Sequence, residues 1–419
     1  MSLAVTGARL AGEPVGLRAE QGVIVELGPD VQPRPEDDAL DGAGAILVPP
    51  LINGHTHAAM TLFRGHGDDL PLMRWLREKI WPIERRLEPD DVYWGTRLAC
   101  LEMVRSGTAR FWDMYWHPRA AARAVHDSGL RATVAAPLID VEGGSEAMRE
   151  GALRSLDELA DAGDRIDAGL APHAIYTVTE DSLRWIAELS SERGLPVQIH
   201  LSETEQEVTD CLAAHGVRPA QYLDRVGLLS PHTVLAHGVW LDDSELELIA
   251  ARGAVLVTNP VANLKLAVGR VFPYPQARAA GVQVGLGSDG PGSNNSLDLF
   301  ADMKVLALLQ KHEAADPAVI SAEETWEIAT GRRAPLLGAG HGLEVGQPAD
   351  FLLLRADAPE LSFGELAAAL VYAASGAVVR STVVAGRVLM RDDQVEGSDE
   401  VLARAIERAR RLGLAPALG

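Results

Sequence analysis

Apolar residues in the middle of the chain gather into short runs, and stretches with helical periodicity separate them. Eight runs stand out: 46–53, 108–114, 130–137, 166–172, 196–201, 233–237, 254–259 and 282–288. Short apolar runs alternating with amphipathic helices predict parallel βα units. Eight such units in about 290 residues match the size of a (β/α)8 TIM barrel, so the predicted fold class is α/β. Polar residues collect where the runs end: His55, His57, Asp113, Asp140, His173, His200, His237, Asn259 and Asp289. A doubly wound sheet would concentrate its chemistry at one switch point, whereas a barrel spreads it over many C-terminal strand ends. The spread here favours the barrel.

The two ends of the chain follow a different pattern. Short alternating segments punctuated by Gly and Pro fill the first 45 or so residues, and similar ones return near 350–354 and 381–390. Such segments predict antiparallel strands joined by turns. The expected organisation is a small β-sandwich domain from residues 1–49 and 340–395, a catalytic barrel over 50–339, and a C-terminal helix within 396–419. The insertion at 61–87, with Trp75, Trp81 and Glu84, is too long for a plain connection and predicts helices roofing a pocket.

Composition narrows the partners. A formal net charge of −21 over 419 residues repels phosphate backbones, which argues against nucleic-acid binding. No apolar run reaches the roughly 20 residues that a bilayer span requires. The N-terminal segment lacks the basic region and apolar core of a signal peptide. The two cysteines, Cys100 and Cys211, form no disulfide framework and suit a reducing cytoplasm. A small polar molecule is the expected partner.

Candidate chemistry centres on VPPLINGHTH, residues 48–57. Residues two apart on an extended strand point the same way, so one strand end can aim His55 and His57 at a single point. His200 and Asp289 end two further runs. Three imidazoles and one carboxylate form an N/O ligand set suited to one divalent ion, zinc or ferrous iron, with a position left for water. Glu203, three residues past His200, can shuttle protons from a roofed pocket that raises its pKa. His237 can orient a water, and Asp289 can accept its proton. Glu205 and Glu207 are expected at a solvated helix start; for Ser293 to Ser296 the plain alternative to a functional role is another helix start, with Ser or Asn as its cap.

These residues, with the runs HTHAAMTLFRG (55–65), WPIERRL (81–87), PHAIYT (172–177), NPVANLKL (259–266) and GSDGPGSNNSLD (287–298), resemble the amidohydrolase superfamily. More narrowly they resemble its deaminases acting on methylthioadenosine, S-adenosylhomocysteine and adenosine, with triazine hydrolases and guanine deaminase as relatives. The resemblance spans essentially the whole chain. It implies His55, His57, His200 and Asp289 as metal ligands, Glu203 as proton donor to the ring, His237 as holder of the water and Asp289 as proton carrier to the leaving amine. It implies Glu84 as acceptor for the ribose hydroxyls, with His173, Trp81 and Asn259 as further substrate contacts. Homo-oligomers occur among such relatives.

One departure bears on the substrate. Members that bind homocysteine carry an arginine just before Gly-Leu-x-Asp, where this chain reads Ala136-Pro137-Leu138-Ile139-Asp140. A buried carboxylate without its cation is penalised heavily, so a neutral 5′ group fits better unless Arg149 replaces the missing arginine. The expected activity is hydrolytic deamination of an adenine nucleoside of the methylthioadenosine, S-adenosylhomocysteine, 5′-deoxyadenosine or adenosine type. The rivals are a guanine or pterin deaminase, an s-triazine chlorohydrolase, an aminodeoxyfutalosine deaminase and a catalytically inactive binding protein.

Overall fold

Pro49 and Pro50 divide what the apolar pattern reads as one strand. In the computed structural model, which describes residues 2–338 and 342–414, Ala45–Val48 and Leu51–Thr56 are separate strands in different sheets. Proline has no N–H to give to a ladder, so two in a row end one sheet and free the chain to enter another. Ala45–Val48 pairs antiparallel with Phe351–Arg355, while Leu51–Thr56 pairs parallel with Thr108–Met114.

Strands from both ends of the chain build one eight-stranded sheet. Ser2–Leu10 lies antiparallel to Glu13–Glu20 and parallel to Asp38–Asp41, and Phe351–Arg355 continues the sheet to Val379–Val384 and Arg387–Met390. The period of two along Phe351–Arg355 divides its side chains between two cores. Phe351 and Leu353 join Leu3, Val5, Leu17 and Leu47, whereas Leu352 and Leu354 join the large core of the central region. The expected boundary at 339/340 falls on residues 339–341, outside the described ones.

The central strands are all parallel. One group is ordered Ile166–Ala168, Arg131–Ala135, Thr108–Met114, Leu51–Thr56. A second is ordered Val197–Leu201, Thr233–His237, Val255–Thr258, Gln283–Leu286. Pro137–Leu138 pairs with Ala171–Pro172, so the runs at 130–137 and 166–172 each break into two pieces. Single bridges from Leu170 to Val197 and from Ala174 to His200 join the two groups on one side. On the other side the Asp289 N–H donates to His55 O at 3.0 Å, and Ser288 N–H to Asn53 Oδ1 at 3.1 Å. Thr108–Met114 is buried throughout, as a strand covered on both faces must be.

Helices fill the connections and stop where the sequence signals. Glu205–His215 and Asp243–Arg252 end on Gly216 and Gly253, both left-handed, as helix C-caps commonly are. The roof insertion is a chain of short helical pieces, Leu72–Trp75, Leu76–Ile80 and Trp81–Glu84. Ser398–Leu412 is the expected amphipathic helix, anchored on Pro89–Arg105 through the Arg411–Asp91 ion pair; positions 415–419 lie outside the described residues. Among the described residues no helix is long and apolar enough to cross a membrane.

Candidate active site

Three imidazoles and a carboxylate converge at one end of the parallel strands. His55 and His57 leave Leu51–Thr56, His200 lies near the end of Val197–Leu201, and Asp289 follows Gln283–Leu286. His57 Nε2 is 3.3 Å from His200 Nε2 and 3.2 Å from Asp289 Oδ1, and His55 Nε2 is 3.6 Å from the same oxygen. The other nitrogen of each ring is committed. His55 Nδ1 faces Gln198 Oε1 at 3.1 Å, His57 Nδ1 faces Met114 O at 2.7 Å, and His200 Nδ1 faces His173 O at 2.6 Å. Those acceptors place a proton on every Nδ1 and aim the Nε2 lone pairs inward.

That arrangement fits a cation. The His55 Nε2 is buried with no hydrogen-bond partner, a cost that a metal ion at the shared centre removes. Burial, with the neighbouring imidazoles, holds His55 down at about 4, so it is neutral and able to ligate at neutral pH. At His57 burial also disfavours the charged ring, but the Asp289 carboxylate outweighs it and holds the pKa at about 9. Metal binding there releases a proton.

Backbone strain marks the same strand ends. Ser202, His237 and Asp289 have φ of +48°, +73° and +60°, left-handed values that residues with side chains seldom adopt. His237 is buried, and its Nδ1 meets Asn263 Oδ1 at 2.8 Å and the Asn259 carboxamide at 3.3 Å. Glu203 lies 3.9 Å from that same nitrogen, and burial with the charge of Asp289 pushes its pKa up to about 8. Ser293 donates to Asp289 Oδ2, leaving Oδ1 turned toward the histidines.

The cavity around this cluster is walled by Trp75, Leu76, Ile80, Trp81, Trp116 and Ile139, largely from the roof insertion. Glu84, His173, Glu203, His237 and Asp289 all border it. Among the described lining residues none is Lys or Arg. Glu84 is desolvated, which raises its pKa, and the polar groups of nearby Tyr115 and Trp116 oppose that shift.

Several expectations need correction. Arg149 does not reach the cavity: its Nε donates to Ser182 Oγ at 2.9 Å and its guanidinium lies over Trp185. Asn259 is fully buried behind His237 rather than on the lining, so it touches the imidazole and not the cavity. Asp140 is occupied by Thr179 and Ser182. Glu207 is buried, not solvated, because its carboxylate caps backbone N–H groups of the preceding loop. Ser293 serves Asp289, and the following helix starts instead at Leu299, capped by Asp298.

Sequence reasoning passed over Gln198, Asn263, Tyr115 and Trp116, and read Ser293 only as part of a helix start. A signal existed for Gln198: a polar residue two before His200 in an apolar strand shares the His200 face. Tyr115 and Trp116 carried none, because aromatics after a strand look the same in any core.

The family described as the amidohydrolase family matches residues 46–389. A 5′-deoxyadenosine deaminase from Methanoregula boonei is 48% identical over 399 residues, covering 93% of this chain and 90% of its own length. A 5-methylthioadenosine/S-adenosylhomocysteine deaminase from Archaeoglobus fulgidus is 40% identical over 385 residues, covering 90% of each chain. The crystal structure of an adenosine deaminase from Xanthomonas campestris with bound zinc superposes with a TM-score of 0.92 at 32% identity, covering 98% of both chains. With a family match across most of its length and relatives this similar, the chain belongs to the amidohydrolase family.

Proposed function

We propose that this protein is a metal-dependent hydrolytic deaminase of adenine nucleosides whose 5′ group is small and neutral. The observation that carries it is the cavity itself. Glu84 stands at the roof side, Glu203 and Asp289 flank the histidine cluster, and the wall between them is apolar and holds no lysine or arginine among the described residues. A ribose diol matches the Glu84 carboxylate, an adenine ring matches the space beside Glu203, and a 5′-deoxy or 5′-methylthio group matches the aromatic wall. A homocysteine carboxylate has no cation to meet there. The names of the relatives from Methanoregula boonei and Archaeoglobus fulgidus support the same substrate class.

His55, His57, His200 and Asp289 would hold one divalent ion, with zinc favoured by the N/O donor set and by the zinc in the Xanthomonas campestris structure. Bound there, the ion supplies Lewis acidity that makes a water acidic near neutral pH. His237 orients the attacking water through an imidazole fixed by Asn263. Asp289 takes the water proton as oxygen adds to C6 of the purine. Glu203, protonated at neutral pH, donates to the ring nitrogen beside that carbon. The tetrahedral adduct then collapses: Asp289 passes its proton to the amine, the remaining hydroxyl proton returns to Glu203, and ammonia leaves with the inosine analogue as the other product. Glu84, His173 and Trp81 hold the sugar and base.

The same reading closes the parallel strands into an eight-stranded barrel. The Asp289–His55 and Ser288–Asn53 contacts form its seam, and the single sheet built from both chain ends, where a sandwich was expected, is a separate small β domain. It also places the enzyme in the cytoplasm. The test is a deamination screen of metal-replete protein on 5′-deoxyadenosine, methylthioadenosine, adenosine, S-adenosylhomocysteine, adenine, guanine and a chlorotriazine. Preference for the first two supports the assignment. Activity confined to free bases or the triazine overturns the nucleoside reading, and preference for S-adenosylhomocysteine overturns the neutral 5′ group.

A further inference from the structure

The loop presenting Glu203 is held by a second carboxylate that no step above uses. Glu207 sits in the first turn of Glu205–His215 and is only 5% exposed. Its Oε1 accepts the Ser202 N–H at 2.8 Å and its Oε2 accepts the Glu203 N–H at 3.0 Å. One carboxylate spanning two successive N–H groups fixes both peptide planes, and the Ser202 plane needs fixing because its φ is +48°. From the other side, Leu201 O accepts from Gly238 N–H at 2.9 Å and Ser202 O from Trp240 N–H at 2.8 Å. The segment 201–203 is therefore stitched both to its own helix and to the loop leaving His237.

The side chain of Glu203 has no comparable restraint. Among the described residues no hydrogen bond reaches its carboxyl group, and the titratable side chain beside it, His237 Nδ1, is 3.9 Å away. Its position is inherited from the backbone that Glu207 holds. Filling space alone would not call for glutamate here, since an apolar residue would fill the volume equally and leave two buried N–H groups unpaired.

We infer that Glu207 is a positioning residue for proton transfer, holding the Ser202–Glu203 backbone so that the Glu203 carboxyl meets the ring nitrogen of the substrate. The inference rests on the role given to Glu203 above. It predicts that Glu207 matters only while Glu203 is there to be positioned, which a merely structural residue would not show.

The experiment is a double-mutant cycle on metal-replete enzyme with 5′-deoxyadenosine, comparing native, E203Q, E207Q and E203Q/E207Q, with metal content and melting temperature recorded for each. A misplaced reacting group costs on the order of tenfold to a hundredfold in rate. E207Q is expected to lower kcat by that amount, with KM within about threefold of native and metal content unchanged. E203Q/E207Q is expected to be no slower than E203Q. If E207Q fails to fold, E207D takes its place in the cycle, keeping the carboxyl group on a shorter arm. The inference is overturned if folded, metal-loaded E207Q retains native kcat, or if the two losses multiply in the double variant. A near-native E203Q would instead overturn the role of Glu203, and this inference with it.

Discussion

Replacing Gln198 by leucine isolates the contact that sets the His55 tautomer. Gln198 is buried, its Oε1 accepts from His55 Nδ1 at 3.1 Å, and its Nε2 has no partner of its own. Leucine of similar size removes the acceptor and leaves the His55 Nδ1–H unpaired, a cost of about 1–3 kcal/mol. The ring escapes that cost by moving its proton to Nε2, the atom aimed at the metal centre. Either route weakens ion binding, and loss of such a supporting contact typically costs about 10–100-fold in affinity, or roughly 1.4–2.7 kcal/mol. The same substitution removes a buried unpaired amide, so the stability of the ion-free protein should change by less than about 1 kcal/mol. Competition against a calibrated chelator gives the affinity, and denaturant unfolding of the ion-free protein gives the stability. Native ion affinity in a folded Gln198→Leu protein would refute the claim that this contact fixes the ligating lone pair.

Three further outcomes follow from the geometry. A Cβ on Gly287 would meet Asn259 Oδ1 at 2.3 Å and Val257 Cγ1 at 2.9 Å, so Gly287→Ala should cost about 1–3 kcal/mol in denaturant unfolding; an unchanged midpoint would contradict this close approach. Glu203 must carry its proton to donate it, and its pKa is raised to about 8, so kcat should be flat below that value and fall as pH rises through it. A profile still flat at pH 10 would exclude Glu203 as the donor. Lys265 Nζ bonds Asp68 Oδ1 at 2.6 Å, Asn295 Oδ1 at 2.7 Å and Gly292 O at 3.3 Å, tying the roof insertion to the loop after Asp289. Lys265→Met should loosen that roof, raising KM about threefold to tenfold, for a loss near 1 kcal/mol, and speeding proteolysis around residues 64–71; native values of both would show that the tie does not hold the roof.

What the sequence made legible was whatever obeys a local period. His55, His57, His200 and Asp289 could be picked out because each closes an apolar run, and strand ends of parallel units share one face. The structure brings them together at 3.2–3.6 Å. Thr108–Met114 and Thr233–His237 fall where the pattern puts them, because fully buried strands leave continuous apolar runs. Residues whose role depends on a distant partner were not legible. Glu207 looks like any acidic residue in a first helical turn, and only the fold shows that Ser202 doubles back to meet it. Arg149 looked like a spare cation for the cavity, but Ser182 and Trp185 hold it elsewhere. The pair Pro49-Pro50 carried its own signal, since two missing N–H groups can break a strand as well as steer it.

The contact between Asn53 and Ser288 joins positions 235 residues apart, beside the meeting of His55 with Asp289. A ribosome adding about 5–20 residues per second takes roughly 12–47 s to cover that distance. For all but the first few residues of that interval a nascent chain has made its first two candidate ligands and lacks its last. No truncated product ending before Asp289 can assemble the full ligand set, and the ion can be captured in it only after the last parallel strand has been made. Capture of an ion by all four candidate ligands together is thus a late event in synthesis, open only to chains that have passed Asp289.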